Sequence, residues 1–152
     1  KDNPNSVLLC CGKDVTLENK EISEQVEKLN ISSNVILLGY RSDTPNLYKV
    51  FDAYVSSSLG EGFSNSIGEA MSSAVPCIVT NVGDSKAIVA NTGWTVDAGC
   101  SVKLAKGMLK AISLSRNDLS RKGNLARQRM LKSFSIKSVV QSFEDFYIKL
   151  LA

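Results

Sequence analysis

Histidine is absent from the 152 residues of this chain. A Ser-His-Asp triad, a Cys-His pair and a histidine-ligated metal centre are therefore excluded within it. The four cysteines form no C-x-x-C pair, and Cys10, Cys11 and Cys77 lie in apolar runs typical of strands. That placement favours buried structural thiols in a reducing compartment over a zinc site. We expect no bound metal.

Strong charge bias and long apolar runs are also missing. The formal net charge is +3 and no basic run occurs, so electrostatics give no reason to expect nucleic acid as a partner. No apolar run reaches the roughly 18 residues that a membrane-spanning helix needs. The first six residues are polar, and the apolar run after them is too short for a signal peptide. We expect a cytoplasmic protein, and peripheral attachment to the inner face of the membrane stays open.

Short apolar runs alternate with helical patterns over the first two-thirds of the chain. The runs suited to strands cover residues 6–11, 34–38, 53–56, 76–80 and 93–96. The helical patterns cover residues 18–30, 45–51, 64–74 and 84–90. Continuous apolar strands are typical of parallel sheets buried on both faces. This order predicts an α/β fold, a doubly wound (Rossmann-like) parallel sheet with helices on both faces.

The last third of the chain is helical, over residues 101–113, 116–133 and 135–151. The final helix has a broad apolar stripe made of Ile136, Val139, Val140, Phe143, Phe146, Tyr147 and Leu150. We expect this stripe to pack on this domain or on another one, because the polar face of the helix is not especially basic. Binding to a membrane surface or to a partner helix stays open.

The stretch 60–71 combines a glycine turn with the start of a helix. Gly60 and Gly62 flank Glu61 after a strand, and the helix starts near Ser64. In a doubly wound sheet, ligands bind at this end of the strands. Glycines let the backbone approach a ligand closely, and the free N–H groups of a helix N-terminus suit a phosphate. The turn therefore predicts a phosphate site.

Two glutamates belong to the same stretch, Glu61 in the turn and Glu69 about one turn into the helix. Carboxylates accept hydrogen bonds from sugar hydroxyls, and each can accept at two oxygens. The pair therefore favours a ligand that carries sugar hydroxyls. Two structural interpretations stay open. For Glu69, the structural interpretation is a capping box with Ser66. For Glu61, it is a solvated loop residue.

Residues 34–96 resemble the donor-binding domain of glycosyltransferase family 4, whose members are retaining enzymes of the two-domain GT-B fold. The similar pieces are NVILLGYRSDTPNLYKVFDAYVSSS, EGFSNSIGEAM, VPCIVTNVGD and TGWTV. Glu61 and Glu69 resemble the family's two glutamates in spacing and context. The downstream helices are similar as well, down to the final amphipathic one.

The resemblance implies that the chain is the C-terminal half of a GT-B fold. Residues 1–152 would then be a single donor-binding domain, truncated at its N-terminus and lacking the first strand and helix. Residues 134–152 would form its last amphipathic helix, and the missing N-terminal acceptor domain would be its partner. The chain begins with Lys1 instead of methionine. We expect these residues alone to be inactive as a transferase.

The resemblance also implies a role for each residue of the motif. Glu61, as the catalytic residue, would contact hydroxyls of the donor sugar, and Glu69 would contact those of the ribose. The backbone N–H groups that meet the sugar and the diphosphate would come from Gly62, Phe63, Ser64 and Asn65. The backbone of Tyr40 and Arg41 would lie against the base. The Arg41 side chain is either a ligand contact or a surface charge.

The activity that the resemblance implies is the retaining transfer of a hexose from a nucleotide-diphosphate sugar to an acceptor hydroxyl. The donor is a substrate, so no cofactor is expected. The acceptor would be a saccharide or a lipid-linked sugar in bacterial capsule, O-antigen or exopolysaccharide synthesis. One departure is the segment Gly83-Asp84-Ser85-Lys86-Ala87, where many relatives have Gly-Gly and a later Glu. A GT-B-fold nucleotide-sugar epimerase and a non-catalytic nucleotide-binding fragment stay open.

Overall fold

The computed structural model describes residues 3 and 5–151, and the chain divides between Thr44 and Pro45 into two compact units. The elements of the first unit are strand β1 (Leu8–Cys10), helix α1 (Lys20–Lys28), a 3-10 turn (Ser32–Asn34) and strand β2 (Val35–Leu37). The two strands pair in parallel, with Leu9 opposite Ile36. Parallel pairing requires a crossover connection, and α1 supplies it.

The second unit contains a three-stranded parallel sheet in the order β3-β4-β5. Helix α2 (Thr44–Tyr48) leads into this unit. The three strands are β3 (Tyr54–Ser56), β4 (Cys77–Thr80) and β5 (Trp94–Val96). The helices between and after them are α3 (Asn65–Ser72), α4 (Ser85–Val89), α5 (Ser101–Ile112), α6 (Arg116–Ser133) and α7 (Ile136–Leu151).

Strand β4 lies at the centre of this sheet and is buried along its whole length. Successive side chains of a strand point to opposite faces. Cys77 and Val79 join the core formed with α3, α4 and α6. Ile78 lies on the other face beneath α5, where a Cβ on Gly107 would be 3.0 Å from its methyl carbon. Helices therefore cover both faces of the sheet, as predicted.

Helix α3, which follows the glycine turn, is held in place by α6. Ile67, Ala70 and Met71 of α3 are completely buried in the core. Gly123 of α6 lies so close to the turn after α3 that a Cβ there would collide with the carbonyl oxygen of Ala74. This contact sets the position of α3, and with it the position of the residues at its start.

The predicted strands and helices all occur among the described residues, with bounds that differ by a few positions. Burial of every strand on both faces is a wrong prediction: only β4 is fully buried, and β1 and β2 have partly exposed side chains. The reason is the number of neighbours. The sheet of the first unit has two strands and therefore no central one.

The cysteines differ in burial more than their surroundings in sequence suggested. Cys77 is buried, and burial raises the pKa of its thiol. Cys10 is half-buried and Cys11 is exposed. The prediction of a buried thiol is therefore wrong for Cys11, because β1 ends at Cys10 and the next side chain lies outside the sheet.

The apolar stripe of α7 is open to solvent. Ile136 is 84% exposed, Leu150 is 66% exposed, and none of the α7 residues is buried. The expected packing of this stripe is therefore not provided by the described part of the chain. None of the helices in that part is both long and apolar enough to span a membrane.

We predict that Ala90→Gly stabilises the protein. Ala90 follows α4 with φ 48° and ψ −125°, a conformation that is almost restricted to glycine, and its side chain is exposed. Such strain costs about 1–3 kcal/mol, and glycine at this position relieves it. Glycine also has more freedom in the unfolded chain, which lowers the gain in stability by roughly 0.4–1 kcal/mol. Urea unfolding should therefore show a net stabilisation of about 1 kcal/mol.

The matched control is Ala105→Gly. Ala105 is exposed within α5, where glycine destabilises a helix by about 1 kcal/mol relative to alanine. The same substitution should therefore change stability in opposite directions at the two positions. Destabilisation at both would contradict the strain assigned to Ala90.

Candidate functional site

The loops that follow β3 and β4 are in direct backbone contact. The N–H of Asp84 donates to the carbonyl oxygen of Gly62 at 3.2 Å. Gly83 has φ +47°, and a Cβ there would collide with the carbonyl oxygen of Glu61 and lie 2.6 Å from that of Gly62. Only glycine therefore fits at position 83 in this structure. The close contact holds the glycine turn at the carboxyl ends of both strands.

The start of α3 presents backbone N–H groups beside this turn. Ser64 is the N-cap and is 4% exposed, and its side chain makes no capping hydrogen bond. Its hydroxyl lies 3.1 Å from that of Ser66 instead. The first N–H groups of a helix have no partner within the helix. Those of α3, which begins at Asn65, thus suit an anion, and the role of the N–H groups of residues 62–65 stays a prediction.

Glu69 is exposed on α3, and one of its oxygens is held by a buried tyrosine. The Tyr48 hydroxyl donates to Glu69 Oε2 at 3.1 Å. Burial, and then the hydrogen bond to Glu69, raise the pKa of Tyr48. The capping-box interpretation of Glu69 is wrong, because α3 begins at Asn65 with Ser64 as its N-cap, so Ser66 does not cap it.

Glu61 is exposed but is held by the loop around it. The Ser58 hydroxyl donates to Glu61 Oε1 at 2.7 Å. The carbonyl oxygen of Ser58 accepts a hydrogen bond of 2.6 Å from the hydroxyl of Thr80, the last residue of β4. A chain of two hydrogen bonds thus connects the carboxylate to the central strand. Glu61 is therefore an anchored carboxylate that faces solvent.

Phe63, which completes the turn, is supported from the end of α6. Its ring centroid lies 5.6 Å from that of Phe134. The guanidinium of Arg129 lies over the ring of Phe134, 5.5 Å from its centroid. The same guanidinium donates to the carbonyl oxygens of Ala87 at 2.6 Å and Ile88 at 2.7 Å, near the end of α4. The turn is thus braced by two residues at the end of α6 that are more than 60 positions away in sequence.

Tyr40 and Arg41 belong to the first unit. Tyr40 is 76% exposed. Arg41 forms a two-pronged pair with Asp43, at 2.8 Å to Oδ1 and 2.7 Å to Oδ2. The hydrogen bond to Asp43 raises the pKa of Arg41, and the one from Arg41 lowers the pKa of Asp43. The guanidinium is therefore paired with Asp43 at the surface, and its contact with a ligand stays a prediction.

The sequence identified the glutamates and the glycine turn but not the residues that hold them. Tyr48, Thr80, Phe134 and Arg129 were not expected to contribute. Each reaches the turn or α3 from an element distant in sequence, so no local spacing signals the contact. The described residues contain no cluster of three or more His, Cys, Asp or Glu side chains that could hold a metal ion.

Sequence relatives of this chain are glycosyltransferases. The profile of a family described as Glycosyl transferases group 1 matches residues 1–113. The UDP-Gal:alpha-D-GlcNAc-diphosphoundecaprenol alpha-1,3-galactosyltransferase of Escherichia coli is 27% identical over 150 residues, which are 97% of this chain. The lipopolysaccharide core biosynthesis mannosyltransferase LpsB of Rhizobium meliloti is 26% identical over 136 residues, or 86% of this chain. The chain spans 38% of the length of each.

Solved structures of glycosyltransferases share the fold. A glycosyltransferase from Rickettsia africae ESF-5 superposes with a TM-score of 0.82 at 24% identity, over 97% of this chain and 40% of that one. HepE from Anabaena, solved in complex with UDP, gives a TM-score of 0.77 at 24% identity, over 96% of this chain and 42% of HepE. These likenesses establish the GT-B type of parallel α/β fold. The family profile covers well over half of the residues, and the chain therefore belongs to the group 1 glycosyltransferases.

Proposed function

We propose that this chain carries the nucleotide-sugar site of a retaining hexosyltransferase of bacterial polysaccharide synthesis. The observation that carries the proposal is the arrangement around the start of α3. Two anchored and exposed carboxylates, Glu61 before and Glu69 after in the sequence, flank the start of a helix whose first backbone N–H groups have no side-chain cap. The hexose and polysaccharide assignments draw support from the galactosyltransferase and mannosyltransferase names of the relatives.

Transfer of a sugar from a nucleotide-diphosphate sugar depends on binding and orientation more than on a reactive side chain. A nucleoside diphosphate is a good leaving group, so the enzyme has to align donor and acceptor and stabilise the departing charge. The N–H groups of residues 62–65 would face the diphosphate. Glu61 would accept hydrogen bonds from the donor sugar and Glu69 from the ribose. No covalent intermediate with the enzyme is needed, and the nucleotide sugar acts as a substrate.

A thermal-shift screen of the native protein tests the ligand class. UDP, GDP, ADP and dTDP, each alone and as a sugar conjugate, should be compared, because a ligand that binds only the folded state raises the apparent stability. We expect one base to give a clear shift. Incubation with that nucleotide sugar and a saccharide or lipid-linked acceptor should then yield a glycosylated acceptor. Release of a free epimerised sugar would indicate an epimerase, and no shift with any nucleotide would indicate an interaction module.

Glu69→Gln tests the ribose contact. Removing the charge should weaken nucleoside diphosphate binding by roughly 1.5–3 kcal/mol, the range for a hydrogen bond to a charged group. Calorimetric titration of the native protein measures this loss. Glu144→Gln on α7 is the control, since Glu144 is an exposed helical glutamate on another element. Unchanged affinity together with a lower unfolding midpoint would assign Glu69 a structural role instead.

A further inference from the structure

Tyr48 is a buried residue whose hydroxyl contacts Glu69 of the candidate site. The residue is 5% exposed and ends α2. Its ring packs edge-to-face on Phe51, with centroids 5.9 Å apart, and on Tyr54, with centroids 5.8 Å apart. A ring packed on two sides in the core cannot swing out without opening the core. The position of the hydroxyl is therefore set by packing and does not depend on a ligand.

The Tyr48 hydroxyl donates a hydrogen bond to only one of the two carboxylate oxygens of Glu69. It donates to Oε2, and Oε1 has no donor among residues 3 and 5–151. Glu69 is itself exposed. A free glutamate loses side-chain conformational entropy when a ligand fixes it. A carboxylate already oriented by a fixed donor avoids part of that cost when it binds.

The direction of the hydrogen bond is also set. A tyrosine phenol is protonated in the neutral range and burial raises the pKa of Tyr48 further, so the phenol donates and the carboxylate of Glu69 accepts. A donor to Oε2 leaves Oε1, and the second lone pair of Oε2, to accept from a ligand. Two neighbouring hydroxyl donors, as in a ribose diol, match two such acceptor sites.

We propose that Tyr48 is a positioning residue that orients Glu69 for a vicinal diol of the bound nucleoside. This inference rests on the proposed function, because it requires Glu69 to contact the nucleotide. Tyr48 does not touch the ligand. It acts through Glu69, and its loss should therefore matter only where Glu69 and the diol are both present.

Tyr48→Phe is the direct test, because it removes the hydroxyl and keeps the buried ring. The probes are UDP and 2′-deoxy-UDP, or the corresponding pair of the base that the screen identifies. In the native protein, UDP should bind tighter than its 2′-deoxy analogue. Tyr48→Phe should weaken UDP binding by roughly 3- to 10-fold, the size of one hydrogen bond. The affinity ratio of the two probes should shrink, because the deoxy analogue uses Glu69 less.

Two further variants make the result decisive. In a Glu69→Gln background, Tyr48→Phe should change UDP affinity by less than about twofold, since coupled residues are not additive. Tyr147→Phe, which removes an exposed tyrosine hydroxyl on α7, should leave the probe ratio unchanged. A purely structural Tyr48 would lower stability and weaken both probes equally.

The outcomes distinguish a failure of the positioning role of Tyr48 from a failure of the proposed nucleotide contact of Glu69. If Glu69→Gln lowers the probe ratio and Tyr48→Phe does not, the positioning role is overturned and the nucleotide site stands. An equal loss from Tyr48→Phe with and without Glu69 overturns the positioning role as well. If neither variant changes UDP affinity, the ribose role of Glu69 is overturned and the positioning role with it.

Discussion

In the native protein, alanine in place of Gly83 should lower sugar transfer by about 100-fold, the loss expected when reacting groups are misplaced by about 1 Å. The added Cβ would collide with the carbonyl oxygen of Glu61, and φ +47° is unfavourable for alanine. Rigid backbone cannot yield as a long side chain can, so the glycine turn must move. That movement would displace Glu61 and the start of α3 together.

Stability should fall in the same variant. Backbone strain costs about 1–3 kcal/mol and overpacking costs another 1–3 kcal/mol, so a loss of about 3 kcal/mol is expected in urea unfolding. Gly60→Ala is the matched stability control, because a Cβ at that position would meet no atom within 4 Å beyond its own chain neighbours. An alanine at position 83 that is as well tolerated as one at position 60 would contradict the close contact between the two loops.

Glu61→Ala should reduce transfer of the sugar by roughly 100- to 1000-fold, the loss typical when one transition-state contact is removed. Binding of the nucleoside diphosphate alone should change by less than about threefold, because the proposed partner of Glu61 is the donor sugar. The experiment therefore compares turnover of the nucleotide sugar with calorimetric affinity for the nucleoside diphosphate. Equal losses in both measurements would indicate a collapsed loop.

Ser58→Ala provides a graded companion to this variant. It removes the donor 2.7 Å from Glu61 Oε1 but leaves the carboxylate in place. The carbonyl oxygen of Ser58, which Thr80 holds, is also retained. A smaller loss of turnover is expected, about 3- to 10-fold, the net size of one hydrogen bond, because the exposed carboxylate stays in place and water can replace the lost donor. A loss as large as that of Glu61→Ala would mean that the loop and not the carboxylate carries the effect.

Much of the candidate site could be predicted because it is local in sequence. Glu61 and Glu69 belong to one turn and the helix that follows it, so their relation depends on nearby backbone geometry. The alternation of short apolar runs with helical spacing likewise depends on neighbouring residues. These local patterns were sufficient to predict the parallel α/β fold and the order of its elements.

Burial was predicted less well, because it depends on how many elements surround a strand. The runs that form β1 and β4 look alike in sequence, yet β4 is fully buried and β1 is partly exposed. β4 has a strand on each side and helices on both faces, whereas β1 pairs only with β2 in the described residues. The apolar stripe of α7 shows the same limit, since its pattern predicts a covered face without specifying what covers it.

By itself, the sequence determined the class of fold, the glycine turn and the two carboxylates, since these follow from local spacing and residue chemistry. The tertiary structure decided which residues orient those carboxylates. Tyr48 reaches Glu69 from α2, and Thr80 anchors the loop of Glu61 from β4. Each of these hydrogen bonds forms between residues more than 20 positions apart. Packing of the sheet and helices brings such residues together, and no pattern of neighbouring residues encodes that contact.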